Sequence, residues 1–274
     1  MSRRPVTVIT GASGGIGTEL AALHAREGWD VVMVNRSAER SQPIIARLRA
    51  DHPAATIDLV QADLADNDSI AAAADALLQR GHVDLFYNNA GVLLDKAVPS
   101  KHGVEMHAQV HVIAPYLFGR LLHPVLDGSS MVTVTTGGIK NAKTLRVDDL
   151  ANPPSFKKLF GPYVHSKLAG AALLDAFSRE YPATTFRSVE PGAVKSEMTA
   201  GAGMPRWLMP IRNLFFSAPE KGAQRVYDAA TSNKAGAPSG AFVMNGKVTP
   251  LRGNASDPDI QASLIAWCSE ITGA

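Results

Sequence analysis

Residues 6–17 have the sequence VTVITGASGGIG, and this stretch decides the fold class. Its first four residues are apolar or β-branched, which is typical of a buried strand. A glycine-rich turn follows at once, and residues 16–26 have helical composition. The N–H groups at the start of such a helix carry partial positive charge and favour phosphate. We therefore predict a strand, a turn and a helix that together hold the pyrophosphate of a dinucleotide.

Three glycines of this turn have separate predicted roles. Gly11 permits a tight turn that a side chain would oppose. Gly15 allows the backbone to approach the pyrophosphate, and Gly17 lets the helix pack closely on the strand. A glycine-rich turn alone is a weak signal, since many such turns bind nothing. The predicted phosphate site comprises Gly11, Ser13, Gly14, Gly15, Ile16 and Gly17.

The end of the second predicted strand, residues 30–34, indicates which dinucleotide is preferred. A site for NAD usually has an acidic residue here, which binds the ribose hydroxyls. This chain has Asn35, Arg36 and Ser37 instead. A guanidinium matches a 2′-phosphate in charge and shape, and Ser13 and Ser37 add hydroxyl donors. We predict NADP(H) as the cofactor, with NAD(H) as the weaker alternative; Arg36 as a solvated surface charge is the competing interpretation.

Tyr163 and Lys167 form the second informative pair. They lie four residues apart in a predicted helix over 163–181, so they share one helical face. A free tyrosine has a pKa of about 10, and a nearby ammonium lowers that pKa. Such a tyrosine can exchange a proton with a carbonyl or alcohol oxygen. A half-buried tyrosine beside an exposed lysine is the alternative interpretation of this spacing.

These two motifs, in this order, resemble the short-chain dehydrogenase/reductase family. Residues 88–91 (NNAG) and 191–196 (PGAVKS) are similar to two further motifs of the family. The resemblance covers residues 5–245 and implies an α/β Rossmann fold, a doubly wound parallel sheet of about seven strands with helices on both faces. It implies hydride transfer between a carbonyl and an alcohol, with Tyr163 as the acid or base. The cofactor contacts that it implies are Asp63, Leu64, Asn89, Ala90, Gly91, Tyr163, Lys167, Pro191, Gly192, Val194 and Ser196.

Residues 163–169, with the sequence YVHSKLA, are most similar to the retinol-dehydrogenase-like branch of the family. Residues 103–105 (GVE) and the long spacer between Thr136 and Tyr163 are also similar to that branch. The branch favours NADP and apolar carbonyl substrates. Both preferences agree with the prediction drawn from Arg36.

Two catalytic positions depart from the family pattern. Thr136 takes the place of a serine at the end of the fifth strand, and its hydroxyl can still orient a carbonyl oxygen. His111 takes the place of an asparagine that holds a water in a proton relay. A histidine binds water and titrates near pH 6.5, so the relay would acquire another pH dependence; a packed histidine without a role is the alternative. These departures motivate a second hypothesis, an NADP(H)-binding sensor or scaffold with weak or no turnover.

Residues 197–217 follow the sixth predicted strand and are strongly apolar for a connection. In α/β sheets of this kind the ligand lies at the carboxyl ends of the strands. Methionine and aromatic side chains suit a lid over an apolar carbonyl or alcohol substrate. A helix packed in the core and an apolar oligomer contact are the other two interpretations. The polar spacer 139–162 forms either one rim of the pocket or a solvated insertion.

Composition bounds the remaining properties. A chain of 274 residues with 46% hydrophobic content is predicted to form a single domain over residues 1–274. The net charge of +2, without a basic run, does not suggest nucleic acid, and no metal site is predicted. Cys268 is the only cysteine, and no run reaches the roughly 18 apolar residues of a membrane span, so a cytoplasmic protein is expected. The resemblance is compatible with a homodimer, a homotetramer or a monomer.

Overall fold

Short apolar runs alternate with helical runs along the chain, and the computed structural model contains them as strands and helices. The structure describes residues 3–142, 144–232 and 236–274. β-Branched and aromatic side chains are frequent in the strands, because they pack well on a pleated surface. The eight strands of the described residues are β1 (Val6–Thr10), β2 (Asp30–Asn35), β3 (Ile57–Gln61), β4 (Leu85–Asn88), β5 (Ser130–Val134), β6 (Thr185–Val189), β7 (Ala241–Met244) and β8 (Lys247–Thr249).

The strands form one sheet in the order β3-β2-β1-β4-β5-β6-β7-β8. All neighbouring pairs are parallel except β7 and β8. The predicted doubly wound α/β fold is confirmed, with one more strand than expected. The extra strand arises because Asn245 and Gly246 both have positive φ and form a tight two-residue turn, which folds β8 back on β7.

Ten α-helical segments of the described residues connect the strands. Several begin at polar capping residues: Ser37 accepts a hydrogen bond from the N–H of Arg40, and Asp66 accepts one from Asp68. The helices are α1 (Gly15–Arg26), α2 (Ala38–Asp51), α3 (Asn67–Leu78), α4 (Met106–Ala108), α5 (Ala114–Leu122), α6 (Pro162–Glu180), α7 (Glu197–Ala200), α8 (Met209–Phe215), α9 (Pro219–Thr231) and α10 (Pro258–Thr272).

Two apolar cores cover the sheet. One contains Leu20 of α1, Leu48 of α2 and Val226 of α9. The other contains Phe118 of α5 and Leu168 of α6, together with residues of α3 and α10. Helices bury both faces of the sheet, so a ligand can bind only at the ends of the strands. In parallel sheets of this kind, ligands bind at the carboxyl ends.

The helical run after β4 is not regular. A π-helical segment, Gln109–Ile113, lies between α4 and α5. Such segments are rare and are frequently found at functional sites. Here the segment contains His111 and adjoins α6, the helix of Tyr163 and Lys167. The π-helical turn therefore brings a buried imidazole beside the predicted catalytic pair.

Candidate active site

A cleft of about 540 Å³ opens at the carboxyl ends of β1, β4, β5 and β6. The structure brings together there most of the residues that the sequence predicted. The remaining ones, Gly17, Asn35, Arg36, Ser37, Asp63, Leu64 and His111, are not part of the cleft wall. The predicted residues that line it are Gly11, Ser13, Gly14, Gly15, Ile16, Asn89, Ala90, Gly91, Thr136, Tyr163, Lys167, Pro191, Gly192, Val194 and Ser196.

The glycine-rich turn has backbone geometry that side chains would disturb. Gly11 and Gly15 have φ of 66° and 52°, in the left-handed region that favours glycine. A Cβ on Gly11 would lie 2.8 Å from Cα of Ala90, and one on Gly17 would lie 2.6 Å from Nδ2 of Asn89. The turn therefore packs directly on the end of β4. Since α1 begins at Gly15, its first N–H groups belong to residues of the cleft wall.

Thr10 and Asn89 hold this turn against β4. The Thr10 hydroxyl accepts hydrogen bonds from the N–H groups of Asn89 (3.1 Å) and Ala90 (3.0 Å). Nδ2 of Asn89 donates to the carbonyl oxygens of Thr10 (2.9 Å) and Gly11 (3.2 Å). The amide nitrogen of Asn89 is thus used within the protein, so this side chain shapes the turn itself.

The end of β2 places three predicted residues in different surroundings. Asn35 is buried, and its Nδ2 donates to Oγ of Ser41 at 3.0 Å. Arg36 is exposed, and Ser37 caps α2 by accepting the N–H of Arg40 at 3.2 Å. The charged group available to a ligand at this end is therefore the guanidinium of Arg36.

A second guanidinium, not predicted from the sequence, belongs to the cleft wall. Arg40 lies in the first turn of α2, and its Nη2 pairs with the Glu197 carboxylate at 2.7 Å. The pair joins α2 to the start of α7. The signal that could have identified Arg40 is its position at the start of the helix that follows β2, close in sequence to Arg36.

Asp63 and Leu64 follow β3 and are half-buried. The Asp63 carboxylate accepts a hydrogen bond from the N–H of Ala65 at 3.0 Å, and the backbone N–H of Asp63 donates to Oγ of Ser69 at 2.9 Å. The carbonyl oxygen of Leu64 accepts a hydrogen bond from Gln109 at 3.2 Å. These bonds stabilise the loop locally, and the adenine contact stays a prediction.

Tyr163 is buried at the start of α6, with its ring edge-to-face against that of His111 at 5.6 Å. Burial raises the pKa of its phenol to about 12, and a hydrogen bond with Thr136 opposes that rise. The expected pKa below that of a free tyrosine is therefore not found in this structure. Desolvation disfavours the phenolate more strongly than the contacts around it favour it.

Lys167 is buried one turn further along α6. Its ammonium donates to the carbonyl oxygen of Val134, at the end of β5, at 2.7 Å. Burial lowers its pKa to about 7, because the charged form has lost most of its water. Lys167 can therefore gain or lose a proton near neutral pH.

His111 is buried behind Tyr163, and both of its ring nitrogens have protein partners. Nε2 accepts the N–H of Val92 at 3.1 Å, so the neutral ring carries its proton on Nδ1. Nδ1 contacts Oγ of Ser166 at 2.8 Å, and that hydroxyl donates to the carbonyl oxygen of Tyr163 at 3.0 Å. Burial and the charge of Lys167 lower the pKa of His111 well below its ordinary value. The prediction that His111 titrates near pH 6.5 is therefore wrong for this structure. Both ring nitrogens are already hydrogen-bonded within the protein, so neither can bind a relay water.

One side of the segment 197–217 forms part of the cleft wall. Ser196 caps α7, and the ends of the segment are joined because the N–H of Ser217 donates to Ala193 at 2.8 Å. The interpretation of this segment as a helix packed in the core holds for only part of it, since Leu214 and Phe215 are mostly exposed. The polar spacer also contributes to the rim. The apolar side chains that line the cleft include Leu93, Leu159, Phe160, Met198, Met204 and Phe216.

Comparison with known proteins identifies the family. The short chain dehydrogenase family matches residues 5–135. Retinol dehydrogenase 11 of Mus musculus is 30% identical over 225 residues, which cover 80% of this chain and 71% of that protein. The chain belongs to the short-chain dehydrogenase/reductase family. The predicted similarity to the retinol-dehydrogenase-like branch is confirmed as well.

Two further comparisons cover nine-tenths or more of the chain. Polyprenol dehydrogenase of Mus musculus is 29% identical, with 98% of this chain and 84% of that protein covered. The NADPH-bound carbonyl reductase from chicken fatty liver superposes with a TM-score of 0.68 at 21% identity, over 90% of this chain and 99% of that structure. The latter likeness shows the fold. Within residues 3–142, 144–232 and 236–274, no helix has the length and apolarity to cross a membrane.

This short-chain dehydrogenase/reductase has a second buried imidazole beside Tyr163, which was not predicted from the sequence. Nε2 of His107 accepts the N–H of Leu94 at 3.1 Å, and Nδ1 contacts the buried Glu105 carboxylate at 2.8 Å. The signal available in the sequence was the spacing of four residues between His107 and His111. The two rings lie 5.9 Å apart and both approach Tyr163.

Glu190 is another residue of the cleft that was missed. It follows β6, immediately before Pro191, and lies beside Gly137, where an added Cβ would be 3.4 Å from Oε1 of Glu190. Its buried Oε2 has no hydrogen-bond partner among the described residues. An acceptor in this state suits a ligand that brings a donor.

Proposed function

We propose that this chain is an NADP(H)-dependent oxidoreductase that interconverts a carbonyl and an alcohol on an apolar substrate. The observation that carries the proposal is the position of Tyr163, which shares one cleft with the glycine-rich turn and with Lys167. Membership of the short-chain dehydrogenase/reductase family supports the reaction class. The residues that bear the proposed roles are Tyr163 as acid or base, Lys167 and Thr136 beside it, and His111 behind it.

The glycine-rich turn fits a dinucleotide. Gly11, Gly14 and Gly15 line the cleft without side chains, so the turn presents bare backbone to it. The N–H groups of Gly15 and Ile16, at the start of α1, suit the pyrophosphate. When bound, the nicotinamide supplies a hydride to a carbonyl carbon or accepts one from an alcohol.

Charge at the end of β2 supports NADP(H) over NAD(H). Arg36 and Arg40 bring two guanidinium groups to this end, and a guanidinium binds phosphate oxygens with two parallel hydrogen bonds. Neither Asn35 nor Ser37 supplies the carboxylate that would bind the ribose hydroxyls of NAD. We infer that Arg36 and Arg40 bind the 2′-phosphate.

Tyr163 is suited to donate a proton during carbonyl reduction. Its pKa of about 12 keeps the phenol protonated at neutral pH. The proton passes from Oη to the carbonyl oxygen, which becomes the alcohol oxygen, and the Thr136 hydroxyl is a second hydrogen-bond donor to that oxygen. Alcohol oxidation uses the same atoms in reverse and requires the phenolate. Lys167, with its pKa of about 7, can return a proton to Tyr163 near neutral pH.

The substrate class follows from the opposite wall of the cleft. Side chains of leucine, methionine and phenylalanine from three separate segments line it, and they favour an apolar molecule. We propose that residues 197–217 act as a lid over this substrate. Flexible Met198 and Met204 can adapt to its shape.

Replacement of the phenol tests the reaction. Tyr163→Phe removes the exchangeable proton while it preserves the ring against His111. We expect kcat with NADPH and a panel of apolar ketones and aldehydes to fall by at least about a hundredfold. The NADPH dissociation constant, measured by nucleotide fluorescence, should change little. Full turnover by this variant would refute the assignment.

A second candidate function is a cofactor-binding sensor or scaffold that has lost turnover. The locked ring of His111 favours it, because a relay water has no imidazole nitrogen to bind. The same carbonyl panel distinguishes the two functions. A sensor would bind NADPH with unchanged affinity in Tyr163→Phe and would reduce none of the carbonyls in either form.

A further inference from the structure

Residues 206–216 form a short helical segment that is apolar on two opposite sides. On the inner side, Leu208 and Met209 pack against the core, and Phe216 lines the cleft. A helix in contact with water normally has a polar outer side. Here the outer side carries Trp207, Ile211, Leu214 and Phe215, with exposed fractions of 66, 43, 77 and 77%.

The exposed side chains form one continuous surface with Phe160 from the spacer. Phe160 is 53% exposed, and its ring stacks on that of Trp207 at 6.4 Å with an interplanar angle of 11°. Lys158 joins the same two segments, because its ammonium donates to the carbonyl oxygen of Ala202 at 2.9 Å. We call this surface the outer patch, and its members are Phe160, Trp207, Ile211, Leu214 and Phe215.

The two stretches of sequence that carry the outer patch have charged residues of one sign only. Residues 151–160 and 198–216 contain Lys157, Lys158, Arg206 and Arg212, and neither range contains Asp or Glu. The whole chain is nearly balanced, with 27 basic and 25 acidic residues, so this asymmetry is local. The salt bridges of the described residues do not include these four side chains.

The cleft opens beside this surface. Phe160 belongs both to the outer patch and to the cleft wall, and its neighbour Leu159 lines the cleft as well. An apolar molecule that leaves a lipid phase at the outer patch would therefore meet the apolar wall of the cleft without crossing open water.

We propose that the outer patch docks on a membrane surface that contains anionic lipids. Its aromatic and aliphatic side chains would enter the boundary between headgroups and acyl chains, and the exposed side chains of Lys157 and Arg206 would contact the phosphates. A second copy of this chain is a poorer occupant, because a symmetric contact would bring the same positive charges together. The chain then lies on the membrane with the mouth of its cleft against the lipid.

Vesicle binding by the full chain tests this proposal without any substrate. We expect the wild type to sediment with vesicles of phosphatidylcholine mixed with phosphatidylglycerol, more weakly with phosphatidylcholine alone, and less as salt rises. The double variant Leu214→Ser/Phe215→Ser should bind anionic vesicles at least about tenfold more weakly. The far-ultraviolet circular dichroism spectrum and the midpoint of urea unfolding, compared with those of the wild type, serve as the check that the variant is folded.

Further variants test the apolar and the basic side chains separately and control for the general effect of a surface substitution. Val248→Ser removes an exposed apolar side chain on β8, away from the outer patch, and should leave vesicle binding unchanged. Lys157→Gln/Arg206→Gln should abolish the preference for anionic lipid and retain weak binding. The proposal is overturned if the wild type does not bind anionic vesicles. It is equally overturned if Leu214→Ser/Phe215→Ser binds them normally, or if this variant changes only the oligomeric state in sedimentation velocity.

Discussion

The imidazole of His111 accepts the backbone N–H of Val92 at 3.1 Å. One turn earlier in the helical run, the imidazole of His107 accepts the N–H of Leu94 in the same way. The two rings thus hold alternate N–H groups of the segment after β4, on either side of Leu93, which lines the cleft. We infer that both histidines are positioning residues that act through this segment.

His111→Asn tests the positioning role. The shorter amide cannot reach both Val92 and Ser166, so one buried group loses its partner. We expect the free energy of unfolding in urea to fall by about 1–3 kcal/mol at neutral pH. His165→Asn, an exposed histidine of the neighbouring helix, is the matched control and should not change stability. Equal stability of wild type and His111→Asn would contradict the inference.

The high pKa of Tyr163 predicts that the rates of oxidation and reduction depend differently on pH. Oxidation needs the phenolate, so kcat/KM for an alcohol should rise with pH by up to about tenfold per unit through the neutral range. Reduction needs the phenol and should not lose activity until strongly alkaline pH. Steady-state rates in both directions with one substrate pair provide the measurement. An alcohol oxidation profile that is flat from acid to alkaline pH would be incompatible with Tyr163 as the base.

Arg36→Ala and Arg40→Ala should each weaken NADPH binding. Loss of one charge-assisted contact to a phosphate corresponds to about a tenfold or greater rise in dissociation constant. NADH lacks the 2′-phosphate, so its affinity should not change. Arg47→Ala, an exposed arginine of the same helix, is the control. Fluorescence titration with both nucleotides would decide the matter, and equal losses for NADPH and NADH would argue against a phosphate site.

Glu197→Gln should act in the opposite direction. The Glu197 carboxylate pairs with Arg40 at 2.7 Å, so it competes with a phosphate for the same guanidinium. Both side chains are well exposed, and such pairs contribute about 0–1 kcal/mol. We expect NADPH to bind up to about fivefold more tightly, and only where Arg40 is present. The double variant Glu197→Gln/Arg40→Ala should therefore match Arg40→Ala alone.

His24 predicts how stability depends on acid. Burial lowers its pKa to about 3, against an ordinary value of 6.5 in the unfolded chain. Between these values the unfolded state binds a proton that the folded state does not, so stability falls as pH drops below 6.5. The slope is at most about 1.4 kcal/mol per pH unit. His24→Gln should show a shallower fall in urea unfolding than wild type, whereas His165→Gln should not differ.

Local patterns were sufficient to predict most of the architecture. The order of strands and helices follows from periodicity, and the glycine-rich turn and the Tyr163–Lys167 spacing depend on neighbours along the chain. Strand β8 was not predicted, because three residues are too few for a pattern and its formation depends on the turn at Asn245 and Gly246. The residues expected at the cleft mostly reached it, since parallel strands end at one edge.

The sequence by itself determined the fold class, the family and the place of the cleft, because backbone preferences and motif spacing are properties of short stretches. Only the tertiary structure decided the protonation of Tyr163, Lys167 and His111, and the pairing of Arg40 with Glu197. Those properties depend on burial and on partners that are distant in the chain. The free energy of a charge is set by the water and the dipoles around it, and no spacing in a sequence specifies those.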